Sequence, residues 1–169
     1  MKKNLVLLGM MAAGKTTLGK NVAKKQKLEF IDIDQNIETK NLMTIKEIFI
    51  KKGEKNFRSM EESEVLKSLK KINVVISLGG GAFMNNILRE SILKNSISVW
   101  LDVDIKVLSK RVAKNKKRPL LSMSNNNKKI YNLYNERKNI YKLAHHRIKC
   151  DNLTIHAITN KIIAIYEQY

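Results

Sequence analysis

The 169-residue chain has little of what staples or partitions a protein: one cysteine, one proline, one tryptophan and seven glycines. A lone Cys150 cannot close an internal disulfide, so stability must come from a packed core, and an intracellular setting fits better than a secreted one. Its apolar-flanked position between Arg147 and Leu153 predicts a buried thiol rather than a redox site. No Gly/Ser linker, repeat or compositional boundary divides the chain, which reads as one domain over residues 1–169. A chain of this size can bury about 70% of its unfolded surface without metals or disulfides. No apolar run reaches the length of a membrane span. The first, Leu5-Val6-Leu7-Leu8, leads straight into a glycine turn, which predicts a core strand and a cytoplasmic protein without a signal peptide. His145, His146 and His156 lack companions at metal-ligand spacing.

Acidic residues are scarce as well. Fifteen Asp and Glu face 33 Lys and Arg, a formal net charge of +18. Such an excess invites a nucleic-acid reading, but the cations are six arginines and 27 lysines scattered from Lys2 to Lys161. No RNA-binding aromatic motif or zinc-finger spacing accompanies them, so nonspecific adhesion at low salt is expected and a specific nucleic-acid partner is not.

What is present begins at Gly9. Gly9-Met10-Met11-Ala12-Ala13-Gly14-Lys15-Thr16 fits the pattern GxxxxGK[ST], preceded by the apolar run at Leu5 and followed by a helical stretch from Thr17 to Lys25. A strand, a glycine-bounded turn and a helix start together form a phosphate cradle. Loop and helix N–H groups point at phosphate oxygens, Lys15 reaches the β and γ phosphates of a nucleotide, and the Thr16 hydroxyl takes one position on Mg²⁺. ATP and Mg²⁺ are therefore the expected cofactors, with Gly9, Ala12, Ala13, Gly14, Lys15, Thr16 and Thr17 around the phosphates.

Short apolar runs then alternate with longer amphipathic ones, the βαβ pattern of a parallel sheet covered by helices. Strands are expected at 5–8, 29–32, 74–78, 96–101 and 147–151. Thr44-Ile45-Lys46-Glu47 has capping-box spacing and predicts a helix start near Ile45, a second helix should run from about Glu54 to Lys71, and Asp104 should cap a helix bearing Val107, Leu108 and Val112. Residues 114–128 break the pattern with Pro119 and a Ser/Asn tract, and a polar excursion of that kind predicts a mobile lid.

Further residues carry chemistry. Asp32 and Asp34 in Phe30-Ile31-Asp32-Ile33-Asp34 are expected on one side of the end of the second strand, where ligands bind an open parallel sheet. Arg58 and Glu61 stand i, i+3 on a helix face. Gly79-Gly80-Gly81 ends the third strand, allowing close backbone approach. Arg118-Pro119-Leu120-Leu121 opens the polar segment, and Arg137 precedes Tyr141 by one helical turn, while Tyr131 and Tyr134 are expected to share a packed face.

In this order, from Gly9 to Tyr141, these motifs resemble the shikimate kinases, a branch of the nucleoside-monophosphate-kinase-like group. The resemblance implies a single α/β domain with a five-stranded parallel sheet in the order 2-3-1-4-5, helices on both faces, a lid around Arg118 and a monomeric state. It implies transfer of the ATP γ-phosphoryl group to the 3-hydroxyl of shikimate. Arg58 and Arg137 would clamp the shikimate carboxylate, with Glu61 holding Arg58. Asp34 and the Gly79–Gly81 backbone would engage hydroxyls, Asp34 chiefly orienting the reacting one. Lys15 and Arg118 would gather the developing charge, and Thr16, Asp32 and Ser77 would serve Mg²⁺. Arg111 stays open between stacking on adenine and lying on a wet helix face. The chain departs from the family at Ala12, where glycine is usual. Another small phosphate-loop kinase, acting on gluconate or a nucleotide, or a non-catalytic ATP-dependent RNA-binding protein would share the loop, but Arg58 and Arg137 together suit a carboxylate.

Overall fold

The computed structural model describes residues 3–114 and 126–169. Of the expected lid over 114–128, residues 115–125, with Arg118 and Pro119, lie outside them, while 126–128 begin a helix. Five parallel strands, β1 (Asn4–Leu8), β2 (Glu29–Asp32), β3 (Val74–Ser77), β4 (Ser96–Asp102) and β5 (His146–Lys149), form one sheet in the order β2-β3-β1-β4-β5. Every residue of the three inner strands is buried, whereas the edge strands β2 and β5 each bury one residue, Ile31 and Ile148. That contrast explains why the inner strands read as continuous apolar runs and β5 as a weak signal.

Seven helices connect and flank the sheet among the described residues: α1 (Lys15–Gln26), α2 (Ile33–Asn41), α3 (Ile45–Leu69), α4 (Asn86–Asn95), α5 (Ile105–Lys114), α6 (Asn126–Tyr141) and α7 (Ile155–Tyr166). The capping box at the start of α3 forms in both directions, Thr44 Oγ1 accepting from the Glu47 amide and Glu47 Oε2 accepting from the Thr44 amide. The two helices expected between Ile45 and Lys71 are the two halves of α3. They meet at Gly53, whose φ of 79° and ψ of 166° break the helical path. A Cβ there would meet nothing within 4 Å, so the glycine serves the backbone angle and not a close contact. The bend sets the half of α3 that carries Arg58 and Glu61 on its own course.

One expectation needs correction. Asp32 and Asp34 do not project from one strand face, because β2 stops at Asp32 and α2 begins at once. Asp32 is the N-cap of α2, its carboxylate accepting from the Gln35 amide at 3.3 Å, and Asp34 lies in the first turn. A short acidic side chain before a helix competes for free amides better than it extends a strand. Both carboxylates still stand at the C-terminal edge of the sheet, one as the helix cap and the other two residues on in the first turn.

Candidate active site

The loop after β1 wraps the start of α1. Lys15 is 8% exposed and its Nζ donates to the carbonyls of Gly9 and Met10, both at 2.9 Å, so the ammonium lies over the loop that it closes. Thr16 Oγ1 donates to Asp32 Oδ2 at 2.6 Å, and Ser77 is Asp32's register partner on the neighbouring strand. A hydroxyl and a carboxylate of this kind are hard oxygen donors. Mg²⁺ is held by one or two such groups together with phosphates and water, so Thr16 and Asp32 fit that ion without a protein-only cage. Among the described residues no group of three or more His, Cys, Asp and Glu side chains converges as a metal site.

Ala12 has φ of 61°, in the left-handed region where a Cβ is strained. Its carbonyl accepts from Arg111 Nη1 at 3.1 Å. In this structure Arg111, although exposed, is engaged with the phosphate loop rather than left to solvent.

Across from the loop lies a second cluster. Glu61 is 2% exposed and accepts from Arg58 Nη1 at 2.8 Å, while Glu54 Oε1 takes Arg58 Nη2 at 3.1 Å and Nε at 3.3 Å. Glu54 was missed from sequence, although it stands i, i+4 before Arg58. The Arg58 guanidinium also lies 5.2 Å from the Phe57 ring centroid. Burial works against the Arg58 charge, but Glu61 and Glu54 outweigh it and hold its pKa above the ordinary value. Burial pushes the Glu61 carboxyl up, Asp34 adds to that rise, and Arg58 and Arg137 oppose it without cancelling it.

The three glycines explain how these groups come together. A Cβ on Gly79 would lie 2.5 Å from Glu61 Oε1 and 2.7 Å from Asp34 Oδ1, and one on Gly81 would lie 2.7 Å from Arg58 Nη1. None of the three needs a positive φ. They are required because two carboxylates and a guanidinium press against the backbone, where any side chain would push them away. Gly80 joins the halves of the site: its Cβ would be 3.3 Å from Arg137 Nη1 and 3.5 Å from the Met11 amide of the phosphate loop.

Arg137 Nη1 and the Tyr141 hydroxyl both donate to the Gly80 carbonyl, at 3.1 and 2.5 Å. A carbonyl has two lone pairs, so Tyr141 keeps it satisfied if Arg137 turns toward another anion. Burial pushes the Tyr141 phenol up to about 12, which keeps it a donor. Asp32, Asp34, Arg58, Glu61, Gly79, Gly80, Gly81 and Arg137 therefore face one region beside Lys15 and Thr16. Arg118 lies outside the described residues.

Tyr131 and Tyr134 do not share a packed face. Tyr131 is 54% exposed, and Tyr134 turns inward to Asp102. Cys150 is buried, with burial and the neighbouring Asp151 and Asp102 pushing its thiol up to about 12.

The shikimate kinase family model matches residues 11–167, nearly the whole chain. The chain belongs to the shikimate kinase family. A shikimate kinase of Bartonella quintana is 45% identical over 124 residues, which cover 73% of this chain and 59% of that protein. The chain thus spans about three fifths of the length of the curated relatives it matches. Among solved structures, the shikimate kinase of Acinetobacter baumannii in complex with shikimate superposes with a TM-score of 0.94 at 32% identity, covering 99% of this chain and 94% of that one. The shikimate kinase of Bacteroides thetaiotaomicron gives 0.92 at 31% identity and 99% coverage of both chains. The family's fold and the observed strand order agree. No described helix is long and apolar enough to cross a membrane.

Proposed function

We propose that this protein transfers the γ-phosphoryl group of ATP to the 3-hydroxyl of shikimate, giving ADP and shikimate 3-phosphate. The observation that carries the reading is the meeting of a phosphate loop and two arginines along Gly80-Gly81: Arg137 and the Met11 amide both border Gly80, and Arg58 borders Gly81. A loop alone would serve any nucleotide-dependent protein. Two guanidinium groups beside it suit a small acceptor bearing a carboxylate, which accepts paired hydrogen bonds from such forks. Membership of the family and the solved relative with bound shikimate support the same acceptor.

Each residue then has a task. Lys15 and the loop amides hold the β and γ phosphates, with Arg118 as a further cation by its place in the family motif. Thr16 and Asp32, with Ser77 beside them, hold Mg²⁺, which supplies positive charge to the phosphate oxygens when present. Arg58 and Arg137 bind the carboxylate, and Glu61 keeps Arg58 aimed at it. Asp34 orients the attacking hydroxyl and is placed to receive its proton as the phosphoryl group arrives. Because phosphoryl transfer is loose in most analyses, alignment and charge stabilisation contribute more than proton removal. The lone buried cysteine and the use of ATP support a cytoplasmic setting.

A coupled assay of ADP release, run with shikimate, gluconate, a nucleoside monophosphate or no acceptor, tests the reading. Release that depends on shikimate is expected. Release with another acceptor instead, or nucleotide binding with no turnover for any acceptor, would overturn it.

A further inference from the structure

Tyr134, Arg137 and Tyr141 stand at i, i+3 and i+7 on α6, one stripe along the helix. Its two ends are fastened to different strands of the sheet. At one end Tyr141 donates to the Gly80 carbonyl just beyond β3. At the other, the Tyr134 hydroxyl donates at 3.0 Å to Oδ1 of Asp102, the last residue of β4. Arg137 lies between the two attachments.

Asp102 is only 6% exposed, and a carboxylate so placed costs stability unless its oxygens are partnered. Oδ2 takes a fork from Arg147 on β5, Nε at 2.9 Å and Nη2 at 2.5 Å. Arg147 itself lies 4.8 Å from the Trp100 ring centroid, and Trp100 packs against Tyr141 at 5.9 Å between centroids. With Oδ2 occupied by the fork, Oδ1 is left as the acceptor for Tyr134. A pair of Asp102, its side chain 8% exposed, and Arg147, 41% exposed, contributes little as stability alone, since one partner is open to water. As a fixed acceptor of defined direction it does something that apolar packing cannot: it sets the rotation of α6 about its axis.

We propose that Asp102 and Tyr134 are positioning residues for Arg137, holding α6 in the rotation that presents the Arg137 guanidinium to the acceptor's carboxylate. The proposal rests on the shikimate kinase reading for what Arg137 binds. Neither residue touches the acceptor. A change at Tyr134 must therefore act through Arg137, whereas a general loss of stability would act on every ligand alike.

The test is a double-mutant cycle read by calorimetric titration with shikimate and, separately, with ATP. Tyr134→Phe deletes one hydroxyl and keeps the ring, so the variant is expected to fold. It should weaken shikimate binding about 3- to 10-fold, the worth of one hydrogen bond, and leave ATP binding unchanged. In an Arg137→Ala background the same substitution should have no further effect on shikimate binding, because the group it positions is gone. Asp102→Asn leaves one acceptor oxygen for both the Arg147 fork and Tyr134, so it should also weaken shikimate binding and leave ATP binding unchanged. Equal losses from Tyr134→Phe with and without Arg137, equal losses for shikimate and ATP, or no loss would overturn the positioning role. Failure of the wild-type protein to bind shikimate would instead overturn the functional reading, so the two failures are distinguishable.

Discussion

Removing the Arg58 guanidinium separates what the Arg58–Glu61 pair does for the acceptor from what it does for the fold. Arg58→Ala should weaken shikimate binding by about 1.5–3 kcal/mol, the size of a charge-assisted contact, which is roughly 10- to 150-fold in Kd. ATP affinity should barely change, because the pair lies against Gly79 and Gly81 rather than against the phosphate loop. Stability should fall too, since Glu61, with its side chain 3% exposed, loses its nearest cation and keeps Asp34 as a neighbour. Breaking a fully buried pair typically costs about 3–5 kcal/mol, but the Arg58 side chain is 38% exposed, so water can enter where it stood. A loss of about 1–3 kcal/mol is expected once that screening is allowed for. Glu61→Gln makes the complementary change. Burial raises the folded-state pKa of Glu61, so its contribution to stability is complete below the unfolded pKa and is lost as pH rises through the folded one. Gln resembles the protonated acid, so the variant should lack this decline and be at least as stable as wild type at pH 7. It should still bind shikimate more weakly, because Arg58 is then drawn toward Glu54. Titration calorimetry and urea melts across pH 4–8 measure both effects. Wild-type shikimate affinity in Arg58→Ala would refute the carboxylate clamp, and a Glu61→Gln protein less stable than wild type at pH 7 would refute the electrostatic argument.

Lys15→Ala should reduce kcat by at least about 100-fold, as expected when a group that stabilises transferred charge is removed, while circular dichroism shows a folded protein. Near-normal turnover would remove Lys15 from the mechanism. Ala12→Gly should stabilise by about 0.5–1 kcal/mol, the relief of a left-handed Ala less the added freedom of the unfolded chain, and raise Tm by about 1–4 °C; an unchanged or lower Tm would show that the strain is absorbed elsewhere. The His145 ring accepts at Nδ1 from the Ser98 amide at 3.2 Å, and burial together with His146 and Lys3 lowers its pKa. Its unfolded form therefore takes up a proton first, and stability should fall as pH drops below about 6.5, a slope that His145→Asn should reduce.

The sequence by itself determined the strands and the phosphate loop, because both rest on local pattern, whereas the strand order was an expectation from the family resemblance. The buried inner strands wrote themselves as apolar runs, and the loop needs particular residues at fixed spacing. The capping box and the break at Gly53 were likewise legible as a helix start near Ile45 and a second start near Glu54, since caps and positive φ angles act over a few residues. The motif order also placed Arg58, Glu61, Gly79–Gly81 and Arg137 among the candidates. Only the tertiary structure decided why they belong together. The glycines are needed because side chains from α2 and α3 press on their backbone, across 18 to 45 residues of chain. The direction of Asp34 depended on Asp32 acting as a cap rather than as a strand residue, a contest between neighbouring amides that alternation does not reveal. The inward turn of Tyr134 depended on Asp102, 32 positions away and held by Arg147 from the next strand. Spacing fixes which residues share an element; which charge faces which is settled when the elements pack, because partners distant in sequence meet only then.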